Sequence, residues 1–146
     1  MSNITSSLDN RAVPAGRLSL GSALKRALVG GGLAVAGNLL VYALARYALR
    51  LELVMPPTPV MPDPAPLNII AVILATLIPA VGAGLVYWLL ARFVKRGRVV
   101  FLAVSAVFLL LSFAGPFTLP AELATQLTLN LMHLVAGAAI VGALTR

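Results

Sequence analysis

Four strongly polar residues interrupt the last hydrophobic stretch of the chain, residues 121–144: Glu122, Gln126, Asn130 and His133. They lie four, four and three positions apart, so on an α-helix they share one broad face. The stretch is long enough to cross a bilayer, and polar side chains at that depth normally face other helices rather than lipid. The spacing therefore predicts a polar helix face that meets a partner inside the protein.

A second polar face lies in the first hydrophobic stretch, where an asparagine, a tyrosine and two arginines follow one another every four residues. If the first and last spans are antiparallel neighbours, residues that face each other have numbers with a nearly constant sum. Pairing the two faces gives sums of 171 or 172 on four successive rungs. The predicted rungs are Asn38 with His133, Tyr42 with Asn130, Arg46 with Gln126, and Arg50 with Glu122.

Three kinds of chemistry fit such a ladder. The polar contacts can hold the helices in register, each contributing about 0.5–2 kcal/mol, with Arg50 and Glu122 as an ion pair at the membrane interface. They can instead line a polar pocket between the first and fourth spans, open to the outside, that binds or transports a small ligand or ion. The third chemistry makes His133 an axial ligand to haem or chlorophyll. The candidate polar-core or ligand-binding residues are Asn38, Tyr42, Arg46, Gln126, Asn130 and His133.

The composition excludes most other classes of protein. Hydrophobic residues make up 60% of the chain and charged residues 10%, whereas about a quarter of an ordinary soluble domain is charged. There is no cysteine, and one histidine with four acids is too small a ligand set for a metal enzyme within one subunit. No nucleophile stands with a base and an orienting acid inside the spans. We therefore expect an integral membrane protein that is not an enzyme and has neither cofactor nor metal.

Charge-poor hydrophobic runs predict an all-α membrane protein, a four-transmembrane-helix up-down bundle in residues 23–146. Residues 1–22 are polar and predict a flexible cytoplasmic tail. Residues 55–66 are rich in proline, which predicts a stiff polyproline-II connector, and Pro79 predicts a kink in the second span. The predicted spans are residues 27–47, 67–92, 99–117 and 121–144.

The distribution of lysine and arginine predicts the orientation of the spans. Nine of the 11 basic residues lie in the first 26 residues, in the turn at 92–98 or at Arg146, and two lie in the other loops. By the positive-inside rule both termini are cytoplasmic and the proline-rich loop is external. The same rule explains the net charge of +7 without nucleic acid as a partner.

Three short segments carry a resemblance to a known group: Gly37-Asn38-Leu39-Leu40-Val41-Tyr42, Ala75-Thr76-Leu77-Ile78-Pro79-Ala80 and Leu131-Met132-His133-Leu134-Val135-Ala136. With them the chain resembles small four-span bacterial integral membrane proteins known only as a domain of unknown function, over roughly residues 25–144. The resemblance implies a bacterial four-helix membrane protein and supplies no activity, cofactor or catalytic residue. It draws attention to Asn38, Thr76, Pro79 and His133.

Together these observations predict a non-enzymatic accessory or structural subunit of a membrane assembly. We expect it to be multi-pass in the cell inner (plasma) membrane. Its expected partners are the lipid bilayer and either another membrane protein or further copies of itself as a homo-oligomer.

Overall fold

Four long helices dominate the computed structural model, which describes residues 18–57 and 62–146. Each of the four is long and apolar enough to cross a membrane, which indicates a multi-pass membrane protein. Most of the predicted tail, residues 1–17, lies outside the described residues, as do residues 58–61 of the proline-rich loop. The helices are α1 (Leu20–Ala43, continued as a π-helix over Leu44–Ala48), α2 (Ile69–Phe93), α3 (Gly97–Thr118) and α4 (Leu123–Thr145).

Side-chain caps set the first residue of two helices. The hydroxyl oxygen of Ser19 accepts a hydrogen bond from the Ser22 amide at 3.1 Å, so α1 begins at Leu20, inside the region predicted to be tail. The side-chain oxygen of Asn68 accepts from the Ala71 amide at 2.7 Å in the same way. α2 then continues through Pro79 to Phe93, and the kink at this proline stays a prediction.

Small residues bring α1 close to α2 on one side and to α4 on the other. A Cβ atom added at Gly84 of α2 would lie 2.7 Å from the Cβ of Ala27 in α1. One added at Gly30 of α1 would lie 2.8 Å from the Cβ of Ala143 in α4. Since no real Cβ tolerates such distances, these backbones approach as closely as glycine allows.

α3 packs less deeply than the other three helices and contacts α2 and α4. Of its 22 residues only Gly97, Phe101 and Pro116 are buried. The Phe101 ring packs against the Tyr87 ring of α2, with centroids 4.8 Å apart. α3 is therefore largely exposed within the chain, and this aromatic contact joins it to α2 near its first turn.

The two ends of the proline-rich loop pair as short antiparallel strands, β1 (Val54–Met55) and β2 (Ala65–Pro66). At these two ends the structure differs from the polyproline-II connector that the proline content predicts for residues 55–66, and residues 58–61 lie outside the described residues. Both strands of a two-stranded ladder are edge strands. An edge strand tolerates a proline such as Pro66, which has no backbone N–H to donate. The ladder continues in a 2.8 Å bond from the Leu67 amide to the Leu53 carbonyl. Both leucines are buried, so the loop is anchored to the helices at this end.

Candidate functional site

The predicted register between α1 and α4 is present in the structure. Gly37 lies against Val135, and their numbers add to 172; Gly30 lies against Ala143, and theirs add to 173. Gly30 also lies against Ile140, with a sum of 170, so these contacts bracket the sums of 171 and 172 on which the ladder was based. The two helices therefore meet at the predicted heights, through small and apolar residues.

The polar side chains nevertheless do not pair across this interface. Asn38, which is 4% exposed, donates from Nδ2 to the Thr76 hydroxyl of α2 at 3.0 Å. Thr76 in turn donates to the Val72 carbonyl at 2.7 Å. His133 bonds through Nδ1 to the Leu129 carbonyl of its own helix at 2.7 Å. The deepest predicted rung, Asn38 with His133, is therefore wrong.

The next two rungs are also wrong. Tyr42 donates its hydroxyl to the Leu67 carbonyl at 3.1 Å, and Arg46 donates to the Leu51 carbonyl at 3.4 Å. Gln126 donates to two main-chain carbonyls before α4, at 2.9 and 3.2 Å. These side chains thus bond to main-chain carbonyls in the loops next to the helices, which have no partner within a helix.

The outermost rung is absent as well. Arg50 and Glu122, both within the described ranges, are exposed and form no ion pair within 4.0 Å. Arg50 follows the π-helix with a φ of 55°, a left-handed conformation that ends α1 and turns the chain into the loop. The chain thus turns away from α1 at Arg50, the residue that was predicted to pair with Glu122.

The rotation of α4 explains why the ladder fails although the heights agree. Residues 132, 135, 139 and 143 of α4 share one side, and Val135 and Ala143 on that side meet α1. A Cβ added at Gly137 would lie 3.1 Å from Leu109 of α3, so Gly137 lies on a different side. Asn130 is seven residues before Gly137, two helical turns away, and shares that side. The polar face of α4 is therefore turned toward α3.

Two asparagines leave buried polar atoms without a hydrogen-bond partner in the part of the chain that the structure describes. They are the side-chain oxygen of Asn38 and both amide atoms of Asn130. An unpaired polar group at this depth costs free energy, on the order of 1–3 kcal/mol. Asn38 is partly satisfied by Thr76, whereas Asn130 is not satisfied at all.

The hydrogen bond of His133 fixes the position of one of its protons. A carbonyl oxygen only accepts, so Nδ1 carries the hydrogen that meets the Leu129 carbonyl. In the neutral ring Nε2 then has a free lone pair, which is the arrangement in which histidines bind metals. No group of three or more His, Cys, Asp or Glu side chains among the described residues could hold a metal ion. Any metal at His133 would have to bring its other ligands, as a tetrapyrrole does.

A cavity of about 190 Å³ lies between the end of α1 and the loop. Of the predicted candidates it contains Tyr42 and Arg46, and none from α4. Glu52, an exposed residue that the sequence did not single out, also lines the cavity. The sequence could have pointed to Glu52, because it is one of only four acidic residues in the chain and follows two arginines. The lining is Tyr42, Arg46, Glu52, Leu53, Val54, Pro66 and Leu67.

A second, wholly apolar groove of about 310 Å³ runs along the exposed side of α3. Its lining residues follow the i, i+3, i+4, i+7 pattern of one helix face, starting from Val104. Phe108 is 67% exposed within this chain. The groove is lined by Ala103, Val104, Val107, Phe108 and Leu111.

Comparison with known proteins agrees with the resemblance carried by the three segments and adds no activity. No curated protein and no solved structure matches the chain. A family model does match, over residues 19–146, which is nearly the whole of the chain that the structure describes. The chain belongs to this family, a family of unknown function designated DUF6069.

Proposed function

We propose that the protein is a non-enzymatic accessory or structural subunit of a membrane assembly, and that it contacts its partner through the groove on α3. The supporting observation is the contrast in packing. α1, α2 and α4 are joined through glycine and alanine contacts, while α3 has three buried residues and a regular apolar groove on its outer side. A groove with helical spacing accommodates the side chains of another helix. The partner is a transmembrane helix of another protein or of a second copy of this one.

The proposed setting is the inner membrane of a bacterium, with the helices arranged up and down and both termini cytoplasmic. The asymmetry of lysine and arginine supports this orientation. Because the natural chain has no cysteine, single cysteines report without background. Asp63→Cys in the loop should react with an impermeant thiol reagent from outside intact cells, and Lys95→Cys only after lysis. The reverse pattern would overturn the orientation.

Co-purification in mild detergent, followed by mass spectrometry, tests the partner proposal. Val107→Trp fills the groove, and Leu110→Trp places the same bulk on α3 outside it. We expect a stoichiometric partner, or a dimer, that is lost in Val107→Trp and kept in Leu110→Trp. Equal retention in both variants would show that the groove is not the contact.

Small-ligand binding is the second candidate function, and the loop cavity favours it. The cavity contains two of the predicted pocket residues, Tyr42 and Arg46, together with the charge of Glu52. It differs from the predicted pocket in position, since it lies between α1 and the loop. Binding of a haem or chlorophyll through His133 is third, supported by the free Nε2 that the Leu129 hydrogen bond leaves.

A further inference from the structure

We propose that the loop cavity binds a small zwitterion, with its carboxylate at Arg46, its ammonium group at Glu52 and a short apolar substituent against Leu53 and Leu67. This inference rests on the second candidate function, small-ligand binding, and names the class of ligand. Apolar amino acids are the simplest molecules with this arrangement of groups.

The charges in the cavity lining carry the proposal. Arg46 and Glu52 line the same space, yet no ion pair within 4.0 Å joins them. The guanidinium of Arg46 makes one long hydrogen bond, 3.4 Å to the Leu51 carbonyl, among the residues that the structure describes. A guanidinium has five N–H donors, so most of its capacity is available to a carboxylate. A ligand with one cation and one anion uses both side chains at once.

The main chain around the cavity is held in place without any ligand. The Tyr42 hydroxyl bonds to the Leu67 carbonyl at 3.1 Å, and the Leu67 amide bonds to the Leu53 carbonyl at 2.8 Å. Arg46 lies within the π-helix, and such turns often occur at functional sites. Arg50, four residues later, adopts a left-handed conformation that non-glycine residues rarely take. Such preorganisation reduces the entropy lost on binding.

The size and walls of the cavity limit the ligand. A volume of about 190 Å³ is below the roughly 300–1,000 Å³ typical of sites for drug-sized molecules. Four of its seven lining residues, Leu53, Val54, Pro66 and Leu67, are apolar. A ligand with only a carboxylate would lie near the like charge of Glu52, and one with only an ammonium group near that of Arg46. A small zwitterion with a short hydrocarbon chain avoids both penalties.

Three probes that share one branched four-carbon unit test the assignment on the full-length protein in lipid nanodiscs. They are L-valine, which is zwitterionic, isovalerate, which is only an anion, and isobutylamine, which is only a cation at neutral pH. Isothermal titration should show that valine binds more tightly than either singly charged probe. The variants are Arg46→Gln and Glu52→Gln, and the matched controls are Arg98→Gln and Glu122→Gln, which change the same charges outside the cavity lining.

We expect Arg46→Gln and Glu52→Gln each to weaken valine binding by about tenfold or more, the effect of losing a charge-assisted hydrogen bond. Glu52→Gln should at the same time strengthen isovalerate binding, and Arg46→Gln should strengthen isobutylamine binding. A general loss of folding cannot produce this crossed pattern. The controls should bind valine as the natural protein does.

Two outcomes would overturn the proposal in different ways. If isovalerate or isobutylamine binds as tightly as valine and depends on the same residues, the cavity is a ligand site but not one for zwitterions. If none of the three probes binds at millimolar concentration, both the zwitterion assignment and small-ligand binding at this cavity are rejected. Neither outcome bears on the proposed contact through α3.

Discussion

α1 and α3 pack against the rest of this small membrane protein in two different ways. α1 meets α2 and α4 through glycines and alanines packed at the closest distances that backbones permit. α3 has only three buried residues and a groove on its outer side, and it meets its neighbours through larger side chains, Phe101 at Tyr87 and Leu109 at Gly137. In lipid, where burial of apolar surface drives association weakly, close van der Waals packing has to stabilise the helices. The difference is the basis of our proposal that α1, α2 and α4 form the stable part of the protein and that α3 presents a surface to a partner.

The glycine contacts offer the largest expected effect. Gly84 and Gly82 lie two residues apart in α2, but only Gly84 faces α1, and no atom lies within 4 Å of a Cβ added at Gly82. Gly84→Ala should destabilise the protein by about 1–3 kcal/mol, because Ala27 blocks the added methyl group. Gly82→Ala should be neutral or slightly stabilising, since alanine favours a helix.

Unfolding in mixed detergent, followed by circular dichroism, measures both glycine variants. Equal stability of the two variants would mean that α1 and α2 are not in close contact. The contrast between the packing of α1 and that of α3 would then be lost.

The buried hydrogen bond between α1 and α2 offers a smaller effect. A double-mutant cycle of Asn38→Leu with Thr76→Val should give a coupling of about 0.5–1.5 kcal/mol. The same cycle of Asn38→Leu with His133→Leu should give additive effects, because these side chains hydrogen-bond to different groups. Coupling with His133 and none with Thr76 would restore the predicted ladder.

These residues also show how far the sequence leads. Hydrophobic length predicted the four helices, and the constant sum predicted the heights at which α1 meets α4, because both depend on rise along an axis. The spacing of residues predicts which side chains share a face of one helix. It does not predict which neighbouring helix that face is turned toward. α4 places Asn130 toward α3, and Asn38 of α1 bonds to α2. The loop cavity was missed because Glu52 and Arg46 line one space only after the chain has turned at Arg50 and the two loop strands have paired.

Replacing Asn130 and replacing Asn38 should change the stability of the protein in opposite directions. Both buried amide atoms of Asn130 lack a partner among the described residues, so Asn130→Leu removes a cost and breaks no bond. We expect the isolated protein to be unchanged or stabilised by about 1 kcal/mol, whereas Asn38→Leu should destabilise it. Chemical denaturation of the two variants side by side provides the measurement. A clear loss of stability in Asn130→Leu would show that its amide is bonded in the folded protein.

The absorption spectrum offers the smallest expected effect. For an accessory subunit we expect no visible band in protein purified from its native membrane in mild detergent, and no change in His133→Ala. A haem or chlorophyll band that disappears in His133→Ala, although this variant keeps the fold of the natural protein, would favour pigment binding instead.

Cysteine crosslinking in native membranes tests the central claim, that α3 presents a partner surface, most directly. Leu111 lines the groove and Leu110 does not, yet the two are 67% and 68% exposed and adjacent on the helix. Since the natural chain has no cysteine, Leu111→Cys and Leu110→Cys each carry a single thiol, to which a photoactivatable crosslinker can be attached. We predict one discrete crosslinked product from position 111 and little from position 110. Equal crosslinking at the two positions would mean that the groove is not the specific contact, and none at either would mean that lipid covers this face of α3. Either result would contradict the account.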